Sequence, residues 1–356
     1  MKDIQGRNID YMRISITDRC NLRCKYCMPE GIDWVRPREI LSLEEICQVA
    51  VCGAGLGIRH LKITGGEPLV RKDCCRLVEM LKAVPGIETV TITTNGVLLK
   101  PFLEPLKKAG IDGINVSLDT LDRKLYQEIT GQDRLEQVLE AIRQAAEQGI
   151  RVKINAVAVQ WEDGRSRRPS DKVFPDALKK ERSIPCDLRT KGSAARNWRE
   201  LAELARQLPV DVRFIEMMPV GYGKAFKAAD PEEMLEEIRR EHPGTERDSR
   251  IHGYGPAVYY HIPGFLGSIG VIRAMHGKFC SECNRIRLTA QGWLKGCLCY
   301  EEGADLRVLL RQGEKSMQQN RLKEAMEKVI REKPASHCFE KPEGMTEKRG
   351  MSSIGG

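Results

Sequence analysis

The sequence lacks long apolar runs. None approaches the roughly 18 to 20 consecutive apolar residues that a membrane-spanning helix requires. The first residues, from Met1 to Met12, also lack the apolar core of a secretory signal peptide. These absences predict a cytoplasmic protein without a membrane partner. The hydrophobic and charged fractions, 41% and 30%, are those of a globular chain.

Aromatic residues are also scarce, at 5% of the chain. Proteins that bind single-stranded nucleic acid stack bases on aromatic side chains, so this composition does not favour such a partner. The net charge of +8 does not change that expectation, because Trp161 to Arg199 alone holds eleven Lys or Arg residues against six Asp or Glu. The rest of the chain is close to balanced, and its basic residues are candidates for binding a small anionic ligand.

Cysteine, by contrast, is abundant, with 13 residues. Because the cytosol keeps thiols reduced, we expect grouped cysteines to bind metal. Cys20, Cys24 and Cys27 have a C-x3-C-x2-C spacing, which can hold three irons of a cubane cluster and leave the fourth iron open for chemistry. On spacing alone, a zinc knuckle or a disulfide pair is the alternative.

Six short β-branched or apolar runs alternate with helical patterns, and Ser42 and Asp73 are the predicted N-caps of two of these helices. Such alternation predicts βαβ units and a parallel sheet, and six units fall short of the eight that close a TIM barrel. We therefore predict an α/β fold, a partial (β/α)6 TIM-like barrel followed by a smaller C-terminal α+β domain. The predicted strands are Tyr11–Ile16, His60–Thr64, Thr89–Thr93, Asp112–Leu118, Arg151–Val159 and Asp211–Glu216.

The predicted domain limits follow from where this alternation stops. The barrel is assigned to residues 1–229, a domain with the second cysteine group to 230–340, and a flexible tail ending in two glycines to 341–356. Within the barrel, residues 161–196 are rich in Arg, Lys, Pro and Ser and show no sustained periodicity. This composition predicts a disordered, solvated insertion or a damaged reading frame; a nucleic-acid-binding arm is the less favoured alternative.

Polar motifs follow the predicted strands. In barrels of this kind, chemistry occurs at the C-terminal ends of the strands. The first cysteine loop follows the first strand, Gly65-Gly66-Glu67-Pro68 follows the second, and Thr94-Asn95-Gly96 follows the third. Adjacent glycines let a ligand approach the backbone, although an ordinary turn also explains them. Ser117 and Asp119 end the fourth strand, and Glu216-Met217-Met218-Pro219 ends the sixth.

A second cysteine group lies near the C-terminus. Cys280, Cys283 and Cys297 can hold a second cluster, whereas Cys299 as a fourth ligand would complete a zinc site. Arg285 and Arg287 stand on one side of an extended segment beside this group. Since guanidinium groups bind phosphate oxygens in pairs, the combination predicts a cluster whose open iron faces a nucleotide.

Together with its flanks, the first cysteine loop resembles that of radical S-adenosylmethionine (SAM) enzymes, in which SAM chelates the open iron. The full series of motifs resembles the family of GTP 3',8-cyclases, radical SAM enzymes of molybdenum cofactor biosynthesis. The resemblance covers nearly the whole chain except Trp161 to about Asn197. Its motifs are Arg13 to Pro29, Ile63 to Leu69, Thr93 to Gly96, Asn115 to Asp119, Arg213 to Pro219, Cys280 to Arg287 and the terminal Gly355-Gly356.

The resemblance implies two 4Fe-4S clusters, SAM as cofactor, and conversion of GTP to (8S)-3',8-cyclo-7,8-dihydroguanosine 5'-triphosphate. It also implies an electron donor and a downstream cyclic pyranopterin monophosphate synthase as partners, and it leaves a homodimer open. The implied site residues are Cys20, Cys24 and Cys27 for the first cluster, Cys280, Cys283 and Cys297 for the second, Tyr26, Gly66, Ser117 and Met218 for SAM, Arg13, Lys62, Thr93, Lys153, Arg285 and Arg287 for GTP, and Arg213, Gly355 and Gly356 for catalysis.

Two other functions remain open at this point. One is a radical SAM enzyme that modifies a peptide with the help of an auxiliary cluster. The other is a non-catalytic protein that binds zinc or nucleic acid and whose cysteines are structural. Single residues also have simpler explanations, since Lys62 and Lys153 fit rim charges on strands, Met218 fits a core position and Ser117 fits a turn.

Overall fold

The computed structural model describes residues 1–28, 34–159, 193–312 and 315–354. The greater part of the predicted insertion, together with Gly355 and Gly356, lies outside these residues. No helix of the described residues is long and apolar enough to cross a membrane.

Six parallel strands carry the fold, and all six predicted strands are confirmed to within two residues at each end. They are β1 Tyr11–Ser15, β2 His60–Thr64, β3 Thr89–Thr94, β4 Gly113–Ser117, β5 Val152–Ala158 and β6 Val210–Glu216. Each pairs in parallel with the next in sequence.

The later strands extend this same sheet at both edges. They are β7 Glu246–Arg247, β8 Val258–His261, β9 Ile269–Ile272, β10 Arg285–Leu288, β11 Trp293–Lys295 and β12 Gly303–Asp305. The order across the sheet is β12-β11-β10-β1-β2-β3-β4-β5-β6-β9-β8-β7. The predicted C-terminal α+β region thus shares its sheet with the barrel, because β10 and β9 satisfy the backbone edges that β1 and β6 would otherwise leave open. The domain limits themselves stay a prediction.

Helices cover the outside of the strands. They are α1 Leu43–Gly55, α2 Cys74–Lys82, α3 Leu99–Lys108, α4 Arg123–Thr130, α5 Leu135–Glu147, α6 Ser193–Gln207, α7 Pro231–Glu241, α8 Leu306–Arg311 and α9 Lys315–Arg331. The helix α6 begins within the last residues of the predicted insertion.

Local sequence explains several helix starts. Ser42 and Glu45 form the reciprocal capping box of α1. At α7, Asp230 is the N-cap and Pro231 the first helical residue, and the Asp230 carboxylate accepts a hydrogen bond from the N–H of Glu232. Asp73 holds the N-cap position of α2 as its sequence predicts, but it has a φ of 63° and its side chain makes no capping hydrogen bond. There, the expectation that an Asp side chain caps the helix is wrong.

The core lies between the strands and these helices. Apolar residues alternate along the strands, and those facing the helices, such as Ile14, Leu61, Ile92, Val116 and Ile154, are at most 1% exposed. The opposite face carries polar and charged side chains at the positions between them. A sheet buried on its helix side and polar on its inner side leaves the inner side available for a polar ligand.

The two cysteine groups lie at opposite ends of the strands. Cys20 follows the C-terminal end of β1, whereas Cys283 precedes β10, which is parallel to β1. Because β11 is antiparallel to β10, Cys297 comes back to the end at which β10 begins. A strand rises about 3.3 Å per residue, so β1 separates the two ends by roughly 15 Å.

Candidate active site

The first cysteine group is three partly buried thiols on one loop. Burial raises the pKa of Cys20, Cys24 and Cys27, and the neighbouring thiols raise the pKa of Cys24 and Cys27 further. No three His, Cys, Asp or Glu side chains of the described residues form a group that could hold one metal ion. A cubane cluster has another requirement, since each thiolate binds a separate iron. The thiolates would repel one another, so a cationic cluster core bound between them would stabilise all three.

The backbone of this loop is fixed by the end of α4. The N–H groups of Arg23 and Lys25 donate to the carbonyl oxygens of Thr130 and Ile129 at 2.9 and 3.0 Å. The amide of Gln132 donates to the carbonyl oxygen of Asn21 at 2.6 Å. The thiols therefore stand on a loop whose path is set by neighbouring structure.

Gly65 and Gly66 pack directly against the strand-to-cysteine connection. The N–H of Gly66 donates to the carbonyl oxygen of Thr17 at 2.8 Å, and the N–H of Glu67 donates to that of Arg19 at 2.8 Å. A Cβ on Gly66 would lie 2.4 Å from the carbonyl oxygen of Arg19, and one on Gly65 would lie 2.5 Å from that of Thr17. Both glycines are thus required for close backbone contact with the cysteine loop, which an ordinary turn would not demand.

Glu67 links three loops at this end of the sheet. Its fully buried carboxylate accepts the Thr94 hydroxyl at 2.8 Å and the N–H of Asn95 at 2.6 Å. The amide nitrogen of Asn95 donates to the Asn21 side chain at 2.8 Å and lies 3.7 Å from Sγ of Cys20. Burial raises the pKa of Glu67 to about 7, against the hydrogen bond from Asn95. The sequence placed these residues at one rim but did not identify them as positioning the thiols.

Tyr26 joins the cysteine loop to the end of β4. Its hydroxyl donates to the Asp119 carboxylate at 2.6 Å, and the other carboxylate oxygen accepts the N–H of Val157 at 2.8 Å. Burial, followed by the charge of Asp119, raises the pKa of Tyr26 well above its usual range. Ser117 ends β4 beside Asn155 of β5. Tyr26 and Ser117 are therefore brought to the same rim.

Cations line up across neighbouring strands on the inner face. Arg13 of β1 is paired in register with Arg287 of β10 on one side and Lys62 of β2 on the other. Residues in register on adjacent strands point to the same face, so the three cations stand side by side. Burial and then the surrounding cations hold the pKa of Lys62 well below its usual range. Burial also lowers the pKa of Arg13 to about 10.

Two further cations come from β5 and β6. Arg213 is buried and donates to the side-chain oxygen of Asn115 at 2.8 Å and also to that of Asn155. Lys153 is in register with Asn115. Burial, followed by the charge of Arg213, lowers the pKa of Lys153 to about 7. Neutral amides thus hold the guanidinium of Arg213 in place without cancelling its charge.

Three of these cations, Lys62, Lys153 and Arg213, border a pocket of about 640 Å³, part of it open to solvent. It reaches the N-terminal ends of the strands, on the side of the second cysteine group. The acidic residue of its lining, Asp112, pairs with the ammonium of Lys82 at 2.8 Å. The pocket is lined by residues that include Tyr11, Lys62, Thr91, Asn115, Lys153, Arg213 and Tyr259. An anion with several charges is the ligand that best fits this surplus of buried cations.

The second cysteine group has a more positive environment. Burial opposes ionisation of Cys283, but the Arg285 guanidinium and the Lys333 ammonium outweigh it and lower the pKa of the thiol to about 6. The backbone N–H of His337 lies 3.5 Å from Sγ of Cys280. A thiol with a lowered pKa is predisposed to ligate metal as thiolate.

Cys299 contacts Cys338, a cysteine that is not one of the ligands of the predicted zinc site. Its side chain is fully buried, and its Sγ lies 3.1 Å from Sγ of Cys338. Burial raises the pKa of Cys299 to about 12. Cys299 is therefore set up as a neutral thiol that contacts Cys338.

Curated relatives align with this chain from end to end. The GTP 3',8-cyclase of Clostridium perfringens (strain SM101 / Type A) is 39% identical over 357 residues, covering 100% of both chains. The GTP 3',8-cyclase of Desulforamulus reducens is 38% identical over 361 residues, again covering 100% of both. The chain belongs to the GTP 3',8-cyclase family. Residues 14–164 match the family model of the Radical SAM superfamily, and residues 210–339 match that of Molybdenum Cofactor Synthesis C.

A solved structure supports the fold assignment of this GTP 3',8-cyclase family member. The crystal structure of Streptococcus suis SuiB bound to S-adenosylmethionine superposes with a TM-score of 0.59 and 16% identity, covering 91% of this chain and 67% of that one. At this identity the likeness concerns the fold alone. Family membership favours the predicted cyclase over the peptide-modifying and zinc-binding alternatives.

Most residues that the family resemblance singled out come together in two places. The described ones lie at the first cysteine loop with its rim, or in the cation-lined inner face with the second cysteine group. Thr93 stands beside Asn115 on the inner face, and Met218 packs near Ile354 and Leu298. Sequence reasoning did not find the contributions of Tyr11 and Tyr259, because a single Tyr on a strand carries no local motif. Asn115 stood in a motif, but its hydrogen bond to Arg213 joins two strands that are distant in the chain.

Proposed function

We propose that this protein is a GTP 3',8-cyclase, a radical SAM enzyme that acts at an early step of molybdenum cofactor biosynthesis. The observation that carries the proposal is the row of buried cations, Arg287, Arg13 and Lys62, placed between two cysteine groups at opposite ends of the same strands. That arrangement suits a polyanionic nucleotide held between two redox-active groups. Full-length identity to curated cyclases supports it.

The first cysteine group is proposed to hold a 4Fe-4S cluster through Cys20, Cys24 and Cys27. SAM would lie at the adjoining rim, where Tyr26, Gly66, Ser117 and Met218 are its proposed contacts. The fit rests on three thiols on one fixed loop and on the glycine backbone packed against it. When bound and reduced, such a cluster cleaves SAM to methionine and a 5'-deoxyadenosyl radical.

The inner face is proposed to bind GTP. Arg285, Arg287 and Lys62 would hold its triphosphate, and a second cluster on Cys280, Cys283 and Cys297 would hold its base. Arg13, Thr93 and Lys153 are the further proposed contacts. The pKa values of Lys62, Lys153 and Arg13 lie below their usual ranges through burial and mutual repulsion, and bound phosphates would relieve that repulsion.

The chain's own contribution to the reaction is positioning. The ribose 3' hydrogen of GTP is removed, the hydrogen ends up in 5'-deoxyadenosine, and the ribose carbon closes onto guanine C8. Arg213 is proposed to act at this reaction centre, because its guanidinium is fixed by Asn115 and Asn155 while its charge stays unneutralised. Gly355 and Gly356 are retained as catalytic candidates from the family resemblance alone.

The decisive experiment follows the hydrogen atom. Reconstituted protein is incubated anaerobically with SAM, a strong reductant and GTP deuterated at the ribose 3' carbon, and the 5'-deoxyadenosine is analysed by mass spectrometry. Deuterium in that product supports both the substrate and the abstracted position. Unlabelled 5'-deoxyadenosine would leave the SAM chemistry and refute 3' abstraction from GTP. No 5'-deoxyadenosine from iron-loaded protein would refute the radical reaction itself.

The partners and location are proposed on chemical grounds. Reductive cleavage of SAM requires an external electron donor, and the cyclised nucleotide must pass to a downstream cyclic pyranopterin monophosphate synthase. We place these steps in the cytoplasm, where the substrate GTP is found and thiols stay reduced. A homodimer is a further proposal, which light scattering of the reconstituted protein would test directly.

A further inference from the structure

The last described residues form a packed segment, here called the C-terminal strap (residues 347–354). The sequence predicted a flexible tail, but Glu347 and Ser352 are only 2% and 3% exposed and Ile354 is fully buried. Ile354 packs with Val220 and Leu298 in a small apolar cluster. The strap is therefore part of the folded structure.

The strap begins at a buried ion pair. The carboxylate of Glu347 contacts the ammonium of Lys295, and both side chains are completely inaccessible to solvent. Arg349 donates to the same carboxylate from its backbone N–H at 2.8 Å and from Nε at 2.9 Å. These hydrogen bonds outweigh burial and lower the pKa of Glu347 to about 2.

This first end of the strap adjoins the second cysteine group. Lys295 ends β11 two residues before Cys297. The backbone N–H of Glu347 donates to the carbonyl oxygen of Cys299, two residues after Cys297, at 3.3 Å. Glu347 thus contacts the chain on both sides of Cys297.

The other end of the strap adjoins the first cysteine group. A Cβ on Gly350 would lie 3.7 Å from the carbonyl oxygen of Cys27. A Cβ on Gly221, in the loop after β6, would lie 2.9 Å from Cα of Gly350, so the strap passes close to that loop as well. Eight residues therefore connect two sites at opposite ends of the strands.

We propose that Glu347 is a positioning residue. Held between Lys295 and Arg349, it fixes the register of the C-terminal strap so that Gly350 lies against the carbonyl oxygen of Cys27 and against the loop after β6. A buried ion pair stabilises little compared with well-packed apolar residues, and its best-attested use is to specify one arrangement over others. Here the arrangement specified is the contact of the strap with both cysteine groups.

The contact has an electronic consequence at the first cysteine group. Exposure to water is one of the determinants of a cluster's reduction potential, because water stabilises the more negative, reduced state. Release of the strap from Cys27 should therefore shift the reduction potential of the first cluster to a more positive value. This second consequence rests on the proposed function, whereas the order of the strap does not.

The test compares two variants with one control. Glu347→Gln removes the carboxylate charge, and Lys295→Met/Glu347→Gln removes both charges, so that no unpaired buried ammonium remains. Glu241→Gln on α7 serves as the matched control. It removes an exposed carboxylate that pairs with Arg199 of α6 at 2.7 Å. Hydrogen exchange is measured on the reconstituted proteins under anaerobic conditions, together with a redox titration of the first cluster followed by electron paramagnetic resonance.

We expect amides 349–354 of both Glu347 variants to exchange on the order of 100-fold faster than in wild type, while the amides of β2 to β4 keep their protection. The control should match wild type. Unchanged exchange in the strap, or a loss of protection spread equally through β2 to β4, would overturn the positioning role. A freed strap with an unchanged potential would overturn its contact with the first cluster. Failure of the cyclase assignment would leave the exchange result unaffected.

Discussion

Arg213 donates a hydrogen bond to the side-chain oxygen of Asn115 at 2.8 Å, and both lie on the inner face of the sheet. A neutral amide fixes the guanidinium and leaves its charge for a ligand, whereas a carboxylate at the same place would cancel that charge. The pairing thus identifies Asn115 as a determinant of anion affinity, although it carries no charge itself.

Asn115→Asp tests this relationship with an almost isosteric change. The new carboxylate would pair with Arg213 and repel phosphate, so we expect GTP affinity to fall roughly 10- to 100-fold, the loss of about one charge-assisted interaction. Isothermal titration calorimetry with GTP measures it. Gln127→Glu adds the same charge at an exposed position of α4 and is the control. Equal affinities for the two variants would show that Arg213 does not face the nucleotide.

The pH dependence of GTP binding should report on Lys153. Its pKa of about 7 in the free protein means that the ammonium is largely neutral above that pH. A bound polyanion favours the charged form and raises this pKa, so binding takes up a proton above pH 7 and not below it. Affinity should therefore fall as pH rises above 7, by up to about tenfold per unit.

Lys153→Met provides the comparison for that slope. It removes one titrating group, so the affinity for GTP should be lower at pH 7 and should fall less steeply from pH 7 to 9 than in wild type, with Lys62 accounting for the slope that remains. Calorimetry in buffers of different ionisation enthalpy would measure the proton uptake directly. An identical slope in the variant would assign the proton to another group.

Tyr26→Phe tests the link between the cysteine loop and β4. The change leaves one oxygen of the buried Asp119 carboxylate without its 2.6 Å donor, which should lower the free energy of unfolding by about 1–3 kcal/mol. Urea denaturation measures that loss, and equilibrium dialysis measures SAM binding, which we expect to weaken. Tyr260→Phe on β8 is the control for loss of a hydroxyl. If both variants were equally stable, the Tyr26 hydroxyl would have no role in holding the loop.

Arg7→Met should disturb the second cysteine group from a distance in sequence. The buried guanidinium donates to the carbonyl oxygen of Cys280 at 2.9 Å and to those of Lys333 and Pro334 at 3.0 and 2.8 Å. It also pairs with Asp3 at 2.6 Å, so its loss should cost about 3–5 kcal/mol of unfolding free energy.

A double variant separates the effect of Arg7 on the path of the cysteine loop from the effect of breaking its ion pair with Asp3. Asp3→Asn/Arg7→Met leaves no unpaired charge and should recover most of the stability, but not the path of the loop. We expect iron to fall by roughly four of about eight atoms per chain in both variants, with the first cluster retained. Full iron content in the double variant would show that Arg7 supports the ion pair only.

The sequence predicted what is encoded locally. The strands were evident because β-branched runs alternate with capped helices, and the cysteine groups because their ligands are neighbours in the chain. The sequence did not show that β9 and β10 extend the two barrel edges, because that extension depends on backbone pairing between distant segments. Asp73 shows the same limit on a small scale. Asp is a common N-cap residue, but Asp73 has a left-handed backbone conformation and its side chain makes no capping hydrogen bond.

The same reason explains which site residues escaped prediction. Glu67 was visible within a motif, but its hydrogen bonds to Thr94 and Asn95 depend on how three loops meet. The Lys295 and Glu347 pair joins residues that each look like ordinary surface charges in sequence. Only the packing around them shows that both are buried.

The strand order also bears on synthesis of the protein. β1 emerges from the ribosome early, yet its outer neighbour β10 is among the last strands to be made, and the same holds for β6 and β9. A nascent or truncated chain that ends before Ile269 therefore presents two unpaired strand edges, which are sites for aggregation. Insertion of iron and sulfur into a stable pair of sites must accordingly wait until β9 and β10 have been made, and mutations that terminate the chain before Ile269 should yield insoluble protein.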